Sequence, residues 1–205
     1  MELLLIRHGL PVRREVDDGI ADPELSAAGL AQAQHLAEYL QSEPLDAVYA
    51  SPLQRAFQTA APLAAARGLP VVVADGVAEW DRNSSSYVPI EELKAAGDPR
   101  YLSLMRGEWT TEEETPEQFS ERVISTIDAL VDAHSGQRIA VSCHGGTINA
   151  YLSHVLGLAP STGFFYPNYT SIHRVMASRS GVKSVLTMNE TAHLRGTGLP
   201  IGLMQ

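Results

Sequence analysis

The chain of 205 residues carries 15 Lys+Arg against 24 Asp+Glu, a formal net charge of −9, which speaks against a broad basic face for nucleic acid or for an anionic membrane. With 44% hydrophobic and 19% charged residues, it has the composition of a folded globular domain, and no apolar run reaches the roughly 18 residues that would span a bilayer. One cysteine, Cys143, excludes an internal disulfide and a cysteine-based zinc site, and the short apolar start Met1–Ile6 lacks the basic leader of a signal peptide, so a cytoplasmic protein is expected.

Leu3–Ile6 is a continuous apolar run, as expected of a strand covered on both faces. Pro23 to Leu40 has helical periodicity, with Ser26 as N-cap and Leu30, Ala33, Ala37 and Leu40 on one face. Ala47–Ala50 is a second strand, and Ser51-Pro52 opens a helix to about Arg67 with Gly68 as its stop. Pro62 lies inside this helix and is expected to kink or split it. Val71-Val72-Val73 is a third strand. Residues 76 to 114 then break the rhythm, with Asn83-Ser84-Ser85-Ser86, Gly97-Asp98-Pro99, Gly107 and Glu112-Glu113-Glu114. So long an irregular stretch is either a functional loop or lid, or a surface excursion.

Regularity returns at Thr115-Pro116-Glu117-Gln118, which reads as a capping box with proline at the first helical position. Phe119, Val123, Ile127 and Leu130 follow on one face. Ile139–Cys143 is a strand, and Gly145-Gly146 leads into a helix through Ile148, Leu152 and Leu156. Ser171–Met176 and Val182–Leu186 close the chain, as a hairpin about Ser180-Gly181. Alternating strands and helices imply one α/β domain over residues 1–205, with a mainly parallel sheet and an irregular lid or insertion at about 76–114.

In such sheets ligands bind beyond the carboxyl ends of the strands. There the sequence places Arg7-His8-Gly9, Ser51-Pro52-Leu53-Gln54-Arg55, Glu79-Trp80-Asp81 and His144-Gly145-Gly146. This set makes sense as a phosphate pocket. Arg7 and Arg55 offer forked hydrogen bonds to phosphoryl oxygens, and His8 a nitrogen nucleophile for phosphorus. His144, if protonated, adds positive charge where it develops on the phosphoryl group. Gly9, Gly145 and Gly146 let backbone N–H groups approach an anion. Glu79 is placed to protonate the leaving oxygen, with Asp75, Asp81 and Glu91 as neighbouring rivals. Side-chain cations neutralise the charge, so no metal and no cofactor are expected.

The chain resembles the histidine phosphatase, or phosphoglycerate-mutase-like, superfamily. The matching runs are Leu5-Ile6-Arg7-His8-Gly9, then Leu25-Ser26-Ala27-Ala28-Gly29-Leu30-Ala31-Gln32-Ala33, and then Ser51 to Ala60. Glu79 and Ser142-Cys143-His144-Gly145-Gly146 complete the set in the family's order. The resemblance implies a three-layer α/β/α sandwich with a mainly parallel central sheet. It implies His8 as the phosphorylated nucleophile, Arg7, Arg55 and His144 completing the phosphate pocket, and Glu79 as proton donor. Many members carry a Ser or Thr and then Asn shortly after Arg-His-Gly, whereas here the run is Leu10-Pro11-Val12-Arg13-Arg14. That departure favours a phosphatase over a mutase. Arg13, Arg14 or the Ser84–Tyr87 stretch, with Ser85 and Tyr87 foremost, are expected to supply the missing contacts. Trp80, Tyr87, Tyr101 and Trp109 either line a substrate pocket or anchor the lid.

The remaining candidates have plainer readings. Asn149 stands where a cysteine-based phosphatase loop would carry its arginine, so Cys143 is expected to be a small buried hydrophobe. His35, His134, His154 and His173 have no metal-ligand spacing, and His193 is expected to be structural. The expected activity is that of a metal-independent phosphoric monoester hydrolase of the histidine acid phosphatase type, acting through phospho-His8 on a small phosphorylated molecule. A phosphoglycerate mutase is the first alternative, and a catalytically weak phospho-ligand-binding or scaffold module the second. No nucleic-acid or membrane partner is expected, and a homodimer would be unsurprising for the family.

Overall fold

The computed structural model describes residues 1–106 and 114–203, and for residues 104 and 105 the backbone alone. The features expected at Gly107, Trp109, Glu112 and Glu113 lie outside the described residues. In chain order the elements are β1 (Glu2–Arg7), β2 (Arg14–Glu15), α1 (Ala27–Tyr39), β3 (Ala47–Ala50), α2 (Gln54–Ala65), β4 (Val71–Val73) and β5 (Ser86–Tyr87). They continue with α3 (Ile90–Ala96), α4 (Pro99–Met105), α5 (Pro116–Ala133), β6 (Arg138–Cys143), α6 (Gly145–Leu156), β7 (Ile172–Ala177) and β8 (Lys183–Glu190).

The central sheet has the order β4-β3-β6-β1-β7-β8. Its first four strands pair in parallel, β7 runs antiparallel to β1, and β8 closes a hairpin with β7. Strand alternation divides the core between two layers of helices. Leu3, Leu5, Ile139 and Val141 pack with Phe119, Val123 and Ile127 of α5 and with Ile148 and Leu152 of α6. Leu4, Ile6 and Ala140 face the other way, onto Leu36, Ala37, Leu40 and Leu63. The result is a three-layer α/β/α sandwich with a largely parallel sheet.

Several local signals act as the sequence suggests. Ser26 accepts from Gly29 N–H as the N-cap of α1, and Thr115 and Gln118 form the capping box of α5. Others need correction. Leu30 is 53% exposed, because the buried stripe of α1 runs instead through Gly29, Gln32, Ala33, Leu36 and Ala37. Gln32 is polar but spends its amide inward, accepting from Leu10 N–H and donating to Pro200 O. Leu156, at the end of α6, is also exposed. Pro62 does not split α2, which is one helix ending three residues later, so the ring disturbs only its last turn. The stretch from 76 onward is more regular than its composition suggests, since it contains β5, α3 and α4. β5 pairs antiparallel with β2, matching Tyr87 with Arg14 and Ser86 with Glu15.

Candidate active site

Parallel pairing of β1, β3 and β6 brings their carboxyl ends together. His8 follows β1, and its backbone is held on both sides: its N–H donates to Cys143 O and its carbonyl accepts from Thr170 N–H. The His8 Nδ1 lies 2.7 Å from Gly9 O. A carbonyl only accepts, so Nδ1 carries the proton and Nε2 keeps its lone pair. Burial, reinforced by Arg55 and Arg7, holds the His8 pKa well below the usual imidazole value. The ring is therefore neutral through the physiological range.

Arg7 donates to Pro167 O at 2.7 Å, and its guanidinium lies against the rings of Tyr169 (4.4 Å) and Tyr166 (4.8 Å). Arg55, in the first turn of α2, is almost fully buried. It donates to Asp81 Oδ1 at 2.7 Å and stacks beneath Tyr87 at 4.6 Å. Thr59 hinges this corner, donating to Arg55 O while accepting from Gly9 N–H. His144 caps α6 and is wholly buried, its ring centroid 5.2 Å from that of His8. Its Nε2 lies 2.7 Å from Ser51 Oγ. Burial, then the Arg55 charge, pushes its pKa well below the ordinary value. His144 is thus a neutral imidazole here, and the condition of protonation under which it would add positive charge is not met.

Glu79 is held by two backbone donors, Gly146 N–H on Oε2 at 2.8 Å and Trp80 N–H on Oε1 at 3.2 Å. Burial first, and the Asp81 charge second, push its pKa up to about 7. Gly146 is required by this contact, since a Cβ there would come within 2.5 Å of Glu79 Oε1. Gly9 and Gly146 therefore give their N–H groups to Thr59 and Glu79 rather than to an anion, which corrects the expectation for those two glycines. Gly145 opens α6 beside Arg7 Nε.

Arg7 Nε, Arg55 Nε and His144 Nδ1 are buried without a partner among the described residues. Buried polar groups nearly always find partners, so three such nitrogens in one corner are left to be met by the acceptors of a ligand. Beside them opens a cavity of about 420 Å³ lined by Arg7, His8, Arg55, Glu79, Gly145 and Tyr87 among others. Trp80 also lines it, whereas Ser85 is exposed outside it and its neighbours Ser84 and Ser86 face inward. Arg13 and Arg14 are not in the wall. They sit exposed in ion pairs with Glu15 and Glu24, because the ribbon of β2 and β5 turns them toward solvent. Tyr101 is not in the wall either, while Arg100 is.

Cys143 lies in the core, with its thiol pKa pushed up by burial. Asn149 ties Gly145 O to the backbone of Phe165. His193 bonds Thr170 Oγ1, and among the described residues no cluster of His, Cys, Asp and Glu could hold a metal ion. Sequence reasoning missed Asp81 as the partner of Arg55, Ser51 as that of His144, and the tyrosines around Arg7. The aromatic run Phe164-Phe165-Tyr166-Pro167-Asn168-Tyr169 was the available signal, since four aromatic rings and a proline in one loop need a reason.

A largely parallel sheet with His8, Arg7, Arg55, Glu79 and His144 at its carboxyl edge defines a protein of the histidine-phosphatase fold, a class of phosphoryl hydrolases and mutases. A sequence profile of the histidine phosphatase superfamily (branch 1) matches residues 3–191, and the chain belongs to that family. It is 30% identical over 205 residues to Phosphoserine phosphatase 1 of Hydrogenobacter thermophilus, covering 95% of this chain and 94% of that protein. It is 28% identical over 166 residues to Probable phosphoglycerate mutase GpmB of Yersinia enterocolitica, covering 78% and 77%. The solved structure of Bacillus stearothermophilus YhfR superposes with a TM-score of 0.76 at 20% identity, over 94% of this chain and 98% of that one.

Proposed function

We propose that the chain is a metal-independent phosphomonoesterase that works through a phosphohistidine at His8. The observation that carries this reading is the state of His8: a neutral ring with its proton directed to Gly9 O and its Nε2 lone pair unprotonated, beside two buried arginines. In the first step Nε2 attacks phosphorus, the bond from phosphorus to the ester oxygen breaks, and Glu79 gives its proton to the departing alkoxide. In the second step water attacks the phosphohistidine, the P–N bond breaks, and Glu79 takes the water's proton. Arg7 and Arg55 neutralise the phosphoryl oxygens in both steps, and His144 donates to one of them through the nitrogen that has no partner among the described residues. α3 and α4 supply Ile90, Leu93, Arg100 and Ser103 to the cavity wall, where they face the leaving group.

The substrate is a small phosphomonoester. Phosphoserine is the first candidate, since the relative matched over nearly its full length is named a phosphoserine phosphatase. A mutase would use the same residues, and the relative named a probable phosphoglycerate mutase supports that second reading. The test is phosphate release from an aryl phosphate, phosphoserine and 3-phosphoglycerate by wild type and His8→Ala, all in EDTA, with a quench that preserves acid-labile phosphoprotein. Release and label in the wild type alone support the phosphatase. Isomerisation of 3-phosphoglycerate outpacing release supports the mutase. Binding of phosphorylated ligand with neither label nor release leaves a binding module.

A further inference from the structure

Arg7 is held by groups that are themselves held from outside the phosphate corner. Its guanidinium lies between the rings of Tyr166 and Tyr169, and its NH1 donates to the carbonyl of Pro167, on the same loop. Both phenols donate to a single side chain, Tyr166 to Glu91 Oε1 at 2.9 Å and Tyr169 to Glu91 Oε2 at 2.8 Å. Glu91 belongs to the first turn of α3. It does not line the cavity beside His8 but a second one, with Leu10, Tyr169 and Pro200. The carboxylate is therefore not part of the wall beside His8. It acts at one remove.

The chemistry suits that role. A carboxylate accepts from two phenols at once, one on each oxygen, which a carboxamide of the same shape cannot do. A negative acceptor on each phenol also pushes electron density into the ring, and the face of a richer ring attracts a guanidinium more strongly. The rings are backed from the chain's end as well: a Cβ at Gly202 would come within 2.8 Å of Tyr166 Cε1, and Tyr169 N–H donates to Ile201 O. Glu91 and these backing contacts hold the two rings, and Arg7 keeps its unpartnered Nε beside Gly145.

We propose that Glu91 is a positioning residue that links α3 to the phosphate-binding Arg7 through Tyr166 and Tyr169, so that affinity for the phosphoryl group depends on α3 being seated. This rests on the reading of Arg7 as a phosphate ligand. The test is the dissociation constant for orthovanadate, a phosphoryl mimic, with kcat and KM for an aryl phosphate, in wild type, Glu91→Gln, Arg7→Lys and the double variant. Glu91→Gln is expected to weaken vanadate and raise KM about 3- to 10-fold, with kcat changed less and the melting temperature within a few degrees. Tyr169→Phe should reproduce part of the loss. In the Arg7→Lys background, where no planar cation remains to be held between two rings, Glu91→Gln should change vanadate binding less than 2-fold.

Equal losses in the two backgrounds would show a general role in packing α3 and overturn the proposal. So would an unchanged Glu91→Gln enzyme whose Arg7→Lys counterpart is impaired, and there the phosphohistidine reading would stand. A wild type that neither binds vanadate nor forms acid-labile phosphoprotein would overturn both.

Discussion

Glu79 and His8 share one pocket, yet burial moves their protons in opposite directions. The carboxyl is pushed up to about 7 and the imidazole well below its usual value, because a buried site penalises whichever form is charged. Near neutrality that leaves an acid able to donate and a nucleophile free of its proton, as a phosphohistidine enzyme requires. Hydrolysis of alkyl phosphates should therefore fall as pH rises through about 7, where Glu79 loses its proton. Asp81→Asn should move that limb to lower pH, since the Asp81 charge raises the Glu79 pKa. A rate profile between pH 5 and 9 checks both. Glu79→Gln should cost alkyl phosphates about 10²–10⁴-fold and a p-nitrophenyl ester far less, because a good leaving group needs no proton. The same substitution loses one of the two backbone hydrogen bonds to Glu79 but should gain stability relative to wild type as pH rises from 5 to 8. A carboxyl whose folded pKa is raised contributes stability that is present below its unfolded value and lost as pH rises through the folded one, so the gain in melting temperature should shrink toward pH 5.

At the scale of elements, the site depends on close approaches that only certain joints allow. α6 starts at Gly145, and its second residue presents its N–H to Glu79 at a distance that leaves no space for a side chain. Gly146→Ala should fold, since alanine favours a helix, but should displace Glu79 and lower kcat on alkyl phosphates by about 10²-fold. Circular dichroism and kinetics on the same sample would separate the two effects. Legibility at this scale followed the range of the forces. The caps at Ser26 and Thr115 were readable because donor and acceptor lie three residues apart. The seven-residue helices α3 and α4 were not, since two turns are too short to display a period. Leu30 was misplaced because Gln32 is polar by type and buried by use.

Across the molecule, an acidic chain keeps Arg7 and Arg55, the proposed phosphate ligands, in one corner. The described carboxylates nearest them are committed: Asp81 to Arg55, Glu79 to backbone donors, Glu91 to phenols. A phosphoryl mimic that binds only the folded state should raise the melting temperature. At one hundred times its dissociation constant, orthovanadate should contribute about 2.7 kcal/mol, or roughly 5–10 °C for a chain of this size. Thermal melts with and without vanadate, repeated on Arg55→Ala, check this, and the variant should lose most of the shift.

By itself the sequence determined the alternation of strands and helices, the caps, and the identity of the five groups at the sheet's carboxyl edge. Each of those depends on short-range chemistry or on the rule that parallel strands share an edge. Only the tertiary structure decided that both histidines are neutral, that Glu79 holds its proton near pH 7, that Arg13 and Arg14 face solvent, and that Glu91 reaches Arg7 through two tyrosines. Those outcomes depend on burial and on partners 75 or 78 residues apart in the chain, and neither desolvation nor a long-range contact is written in the residue type.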